Sequence, residues 1–218
     1  MRRIKKDTYW QRCLQKFFCG LLLTFALQSS GYAEPILGGD FLELETTVDP
    51  SPVGPIEVIE FFSYECRGCY LLGPDLDQWF QSNLNRVDLA LVPHISNRRS
   101  LELARLYYTL LLMGELTKLH YHVFRAIHDD GWALWDTSEQ YKWVETQGVN
   151  LDRFRETLSS DLLDQRVSES LRLSEVYPVS VTPTIMVGRR FWTTASMIQS
   201  RDRLSPILDY LVDRMRRK

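Results

Sequence analysis

The chain has 218 residues, 44% of them hydrophobic and 25% charged, with a formal net charge of −2. That is enough apolar material for one core, or one core with an inserted lobe, and the composition excludes a repetitive or disordered chain. An acidic balance with no basic stripe reverses the counterion-release term that drives nucleic-acid and anionic-membrane binding, so partners are expected through apolar contact.

Taken in chain order, Arg2, Arg3, Lys5 and Lys6 precede the apolar run Phe17 to Leu27, and Gly31-Tyr32-Ala33 places small residues at a cleavage site. Residues 1–33 are read as a signal peptide, which expects a mature protein outside the cytosol. An uncleaved anchor is the competing reading, but the run is shorter than the roughly 18 to 20 residues a spanning helix needs. Cleavage removes Cys13 and Cys19 and leaves 20 basic against 27 acidic side chains, a formal charge of about −7. Only Cys66 and Cys69 then remain, too few for a disulfide-stapled scaffold.

Pro35, Gly38, Gly39, Pro50, Pro52, Gly54 and Pro55 make residues 34–55 an extended arm around one short strand near Phe41 to Glu45. Ile56 to Phe62 (IEVIEFF) ends apolar on both faces, as a central strand covered on both sides must be, and Val87 to Val92 reads as a second strand of the same kind. Between them Leu72, Leu76, Trp79 and Phe80 mark a helix over Cys69 to Leu84, giving a parallel strand–helix–strand unit. Helices are expected at Leu101 to Met113, Leu116 to Ile127, Glu139 to Thr146, Leu151 to Leu158 and Asp161 to Tyr177, separated by Gly114, Gly131 and Gly148. Thr184 to Val187 and Arg190 to Thr193 form a hairpin around Gly188-Arg189, and Pro206 to Met215 a last helix, with Ser205 as N-cap and Pro206 at its first position. The class is α/β, with a sheet domain at 56–98 and 178–218 interrupted by a helical insertion at 99–177.

Cys66-Arg67-Gly68-Cys69 lies after a buried strand and opens a helix. At that turn free backbone N–H groups and the positive dipole end favour a thiolate at Cys66, and Arg67 adds positive charge beside it. A thiolate of lowered pKa both attacks and departs readily, as disulfide exchange requires. The alternatives are half a zinc site, a structural disulfide, or two inert buried thiols. Zinc would need further ligands, and His120, His122 and His128 read more simply as a polar helix face; an i, i+3 bridge closes too small a loop to constrain the unfolded chain much. Glu60, an acid in the buried strand, is either a proton acceptor for Cys69 or an edge-facing or paired acid. Thr182-Pro183 is a candidate cis bond, which would set the Thr182 backbone beside the thiols to pair with an extended substrate; an ordinary trans proline starting a strand is the alternative.

Ile56-Glu57-Val58-Ile59-Glu60-Phe61-Phe62-Ser63 followed by Cys66-Arg67-Gly68-Cys69-Tyr70, with Val181-Thr182-Pro183 and Val187-Gly188-Arg189 in the later segment, resembles the bacterial periplasmic DsbA family over nearly all of residues 34–218. The resemblance implies a thioredoxin fold with an inserted helical domain, Cys66 as reactive thiol, Cys69 as resolving thiol, Glu60 as the buried acid near Cys69, and Pro183 as the cis-proline. Substrates would be folding secreted proteins with cysteines, recognised around Thr182, Pro183, Arg67 and Gly68. A quinone-linked membrane partner of the DsbB type would reoxidise the enzyme, and no cofactor or metal is expected beyond the Cys66–Cys69 disulfide itself. Pro74 resembles the helix-kinking proline of thioredoxin. Two departures stand out: Gly68 supplies no imidazole between the cysteines, and Thr182 before the proline also occurs in isomerase and reductase relatives. A periplasmic disulfide donor is the leading expectation; a reductase or isomerase kept reduced by a membrane donor, and a peptide- or metal-handling chaperone, are the alternatives. Residues 34–55 leave no room for an isomerase's dimerisation domain, and a monomer is expected.

Overall fold

A computed structural model describes residues 33–44, 54–177 and 179–217. The signal peptide read at residues 1–33, Cys13 and Cys19 included, lies outside the described residues except for Ala33, as do residues 45–53 of the arm. Among the described residues no helix is long and apolar enough to cross a membrane.

Strand β1 (Leu42–Glu43) is followed by β2 (Ile56–Phe62), helix α1 (Arg67–Gln81) and β3 (Val87–Pro93). β4 (Thr184–Val187) and β5 (Phe191–Thr194) complete a five-stranded sheet of order β1-β5-β4-β2-β3, in which β2 and β3 are parallel and the other pairs antiparallel. Between β3 and β4 run α2 (Arg98–Met113), α3 (Leu116–His128), α4 (Thr137–Thr146), α5 (Leu151–Leu158) and α6 (Asp161–Val176). The chain closes with α7 (Ala195–Ile198), a 3-10 turn (Arg201–Arg203) and α8 (Leu204–Arg216).

Local chemistry explains most of these limits. Asn97 caps α2 through the Ser100 N–H (3.0 Å) while the Ser100 hydroxyl accepts from the Asn97 N–H (2.9 Å), so the helix starts before its first apolar residue, earlier than apolar spacing alone predicts. Asp136, Asn150 and Ser160 cap α4, α5 and α6 one way, their side-chain oxygens accepting the backbone N–H of Ser138, Arg153 and Leu163. Gly188 and Arg189 both carry positive φ (59° and 56°), the geometry that lets a two-residue turn follow the twist of the strands it joins.

Two expectations are corrected. β3 is not a central strand: it lies at the edge of the sheet with Asp88 and Ala90 exposed, and the acid and the terminal Pro93 suit an unpaired edge. Ser205 is not an N-cap either; α8 continues out of the 3-10 turn from Leu204, and Pro206 falls inside the first turn, where its missing N–H has no intrahelical partner to lose. The earlier start buries Leu204 in one stripe with Ile207, Leu208, Leu211, Val212 and Met215.

Alternation along β2 turns Ile56, Val58, Glu60 and Phe62 to one face of the sheet and Ile59 and Phe61 to the other. Ile56 and Val58 join an aliphatic core with Leu72, Leu76 and Trp79 of α1 and the α8 stripe. Phe62 joins a second core, built mostly by the inserted helices, which also takes in Tyr64 and Cys69. Ile59 and Phe61 pack with Val92, Tyr177 and Met186 on the opposite face. Glu60 therefore sits where the first two cores meet.

Candidate active site at Cys66 and Cys69

β2 delivers the chain to a turn at Tyr64-Glu65, and Cys66 follows as the N-cap of α1, with extended backbone (φ −85°, ψ 109°). Its sulfur accepts the Cys69 backbone N–H at 3.1 Å, the place a serine or threonine oxygen takes in an ordinary cap. The Cys66 S–H donates to the Thr182 carbonyl at 3.1 Å. Cys66 is half-buried, whereas Cys69, one turn on, is 1% exposed in the aromatic core. Both thiols are free.

The two sulfurs are pushed in opposite directions. Cys66 is lowered to about 6 because the Cys69 thiol donates to it, with the Thr182 side chain and the backbone N–H groups of Cys69 and Gly68 adding to that against the cost of burial. Cys69 is driven far above the ordinary thiol range by burial, then by giving its S–H to Cys66 and by the nearby Glu60 and Cys66 charges. Glu60 is 5% exposed, and its carboxyl makes no hydrogen bond or ion pair among the described residues. It is neither edge-facing nor paired, since β2 lies between β4 and β3 and the partners of Glu60 there are Ile185 and Leu91. Burial first, then Asp77 and Cys66, raise it to about 8.

The Thr182–Pro183 bond is cis. A Cβ on Gly68 would stand 3.3 Å from Pro183 Cδ and 3.6 Å from Cys66 Sγ, so the proline ring lies close over the motif and a side chain there would press on it slightly. Cys66, Cys69, Glu60, Gly68, Thr182 and Pro183 are thus brought together. Arg67 is engaged elsewhere: its Nη1 donates to Asp129 at 3.0 Å and its guanidinium lies over the Tyr70 ring at 5.3 Å, and hydrogen bonds, with no Arg67 charge among the leading causes, lower Cys66.

Sequence reasoning missed the wall behind the motif. The Tyr64 hydroxyl meets His120 Nδ1 at 2.8 Å, and His128 Nε2 meets the Tyr64 carbonyl at 2.9 Å. His120 is not part of a polar face; burial lowers it to about 4, so it is neutral at pH 7 and shares a hydrogen bond with the Tyr64 hydroxyl whose direction follows its tautomer. Tyr70 stacks on His128 and Phe124, and its hydroxyl donates to Asp129 at 2.6 Å. The i, i+4, i+8 spacing of His120, Phe124 and His128 carries the signal, since it sets three rings on one side of α3. Only His122 of the three histidines is exposed. Asp77, bonded to the Tyr121 hydroxyl at 2.8 Å, was likewise not singled out.

A family model for the DSBA-like thioredoxin domain matches residues 75–205. The chain belongs to the DsbA-like family. The thiol:disulfide interchange protein DsbA of Pseudomonas syringae pv. tomato is 31% identical over 189 residues, 86% of this chain and 88% of that protein. DsbA of Burkholderia cepacia is 28% identical over 209 residues, 95% and 99% of the two chains. Among solved structures, Pseudomonas aeruginosa DsbA aligns with TM-score 0.76 at 25% identity, covering 86% of this chain and 96% of that one. The oxidoreductase DsbA from Xylella fastidiosa aligns with TM-score 0.74 at 28% identity, covering 84% and 99%. This DsbA-like chain has the thioredoxin fold with a helical insertion and is a disulfide oxidoreductase.

Proposed function

We propose that the chain is a periplasmic disulfide donor, exported by a cleaved signal peptide, that passes the Cys66–Cys69 disulfide to folding secreted proteins. The observation that carries this reading is the placement of the two thiols, Cys66 half-buried at the start of α1 with its sulfur accepting the Cys69 N–H at 3.1 Å and Cys69 1% exposed behind it, from which their opposed acidity follows. A substrate thiolate attacks Cys66 Sγ, forming a substrate–Cys66 disulfide as the Cys66–Cys69 bond breaks and its electron pair leaves on Cys69. A buried thiolate at Cys69 is costly, and Glu60, raised to about 8 and so mostly protonated at pH 7, supplies the proton. A second substrate thiolate then attacks the substrate sulfur, and Cys66 departs as a stable thiolate, leaving the substrate oxidised and the enzyme reduced. The Thr182 carbonyl, 3.1 Å from Cys66 Sγ, would pair with an extended substrate beside the reacting sulfur. Reoxidation falls to a quinone-linked membrane partner of the DsbB type, and the disulfide is the only redox group required.

The test is equilibration of the reduced chain with glutathione. A potential near about −120 mV, as in a strongly oxidising family member, supports donation, and one near about −270 mV overturns it in favour of a reductase. Trapping sharpens the roles: Cys69→Ser is expected to accumulate a substrate–Cys66 disulfide, whereas Cys66→Ser is inert.

A further inference from the structure

The mechanism leaves Asp129 unused, although it touches the first turn of α1 at two points. Its Oδ1 accepts from Arg67 Nη1 at 3.0 Å and its Oδ2 from the Tyr70 hydroxyl at 2.6 Å, so the carboxylate bridges the residue after Cys66 and the residue after Cys69. Tyr70 is itself held by its stack on His128, with ring planes 6° apart, and His128 by the Tyr64 carbonyl. Asp129 also follows α3 directly, at the negative end of that helix's dipole, where an acid is disfavoured. Its place is explained by what it holds on α1.

We propose that Asp129 is a positioning residue that holds the Arg67 guanidinium over the Tyr70 ring and so keeps that charge from swinging toward the Cys66 thiolate. This rests on Cys66 being the reactive thiol. Two fixed charges would simply add, so what Asp129 contributes beyond its own charge is the place of the cation: bonded at 3.0 Å, the guanidinium lies over the Tyr70 ring, whereas a released Arg67 can swing toward the sulfur. The other charged or titratable groups around the first turn do not replace it. Cys69 and Glu60 lie behind the sulfur and Glu65 precedes it; from α3 and its exit come His128, Arg125 and Asp130, of which the last two pair with each other at 3.8 Å. Thr182, Pro183 and Ala195 on the remaining side carry no charge. Asp129 therefore moderates, from the helical insertion, an acidity that the hydrogen bonds to Cys66 establish, and with it the oxidising strength of the disulfide.

The experiment follows thiolate absorbance at 240 nm against pH in the reduced protein, for the unaltered chain, Asp129→Asn, Arg67→Gln and the double variant. Freeing Arg67 in Asp129→Asn is expected to lower the Cys66 midpoint by about 0.3 to 0.8, and to favour the reduced state against glutathione by roughly two- to sixfold. The displacement should be clearly smaller in the Arg67→Gln background. An unmoved midpoint in Asp129→Asn, even with a lowered melting temperature, overturns the proposal, as does an equal displacement in both backgrounds, which would assign the effect to the carboxylate's own charge. A midpoint near 9 in the unaltered chain would instead overturn the reading of Cys66, and this proposal with it.

Discussion

The two cores that share one face of the sheet are built from different chemistry. Below Glu60, Ile56 and Val58 meet the α8 stripe and Leu72, Leu76 and Trp79 in a mainly aliphatic interior. Above it, Phe62, Tyr64, Tyr107 and Phe124 surround a neutral His120 and the buried Cys69, with ring centroids 4.8 to 6.4 Å apart. Aliphatic packing is nondirectional and tolerates sliding, whereas edge-on rings and buried hydrogen bonds fix orientation. The lower core holds the sheet to its helices; the upper one aims the thiols.

Glu60→Leu would join the two cores and should have the largest effect. Because folding raises the Glu60 pKa from 4.5 to about 8, the pH-dependent part of its cost is absent below pH 4.5 and grows until the pH passes about 8. The variant is therefore expected to gain on the order of 4 kcal/mol in urea unfolding at pH 8 relative to its gain at pH 4, with slower disulfide exchange. An equal gain at both pH values would show that Glu60 is not held protonated.

Within the lower core, Leu208→Ala removes a fully buried side chain and should cost about 3 kcal/mol of unfolding free energy while leaving the Cys66 titration where it was. A displaced titration would break the division of labour between the cores. The smallest effect is expected in the upper core from Tyr64→Phe, which leaves His120 Nδ1 without its hydrogen-bond partner. A loss of about 1 to 2 kcal/mol should come with altered near-UV circular dichroism from the reoriented rings. Unchanged stability would mean that this hydrogen bond contributes little to the wall behind the motif.

Much of the fold was legible because the signals are local. The apolar run of β2, the spacing of Leu72, Leu76 and Trp79, the glycines after the helices, and Gly188-Arg189 between two short strands each act over a few residues. The errors arose where a neighbour decides. Val87 to Val92 reads as apolar whether a strand pairs on one side or two, and only the sheet order puts β3 at the edge. Ser205-Pro206 has the composition of a helix start, but burial of Leu204 draws the helix back into the preceding turn.

The sequence by itself singled out Cys66, Cys69, Glu60 and Thr182-Pro183 as candidates, because a C-x-x-C at a helix start, an acid in the buried strand and a proline before a strand are features of single segments. Tertiary structure alone decided their electrostatics. Arg67 finds Asp129 sixty-two residues away, and His120 stays neutral well below its ordinary range only because folding strips its water. Charge and acidity depend on what approaches through space, and residue order records that only indirectly.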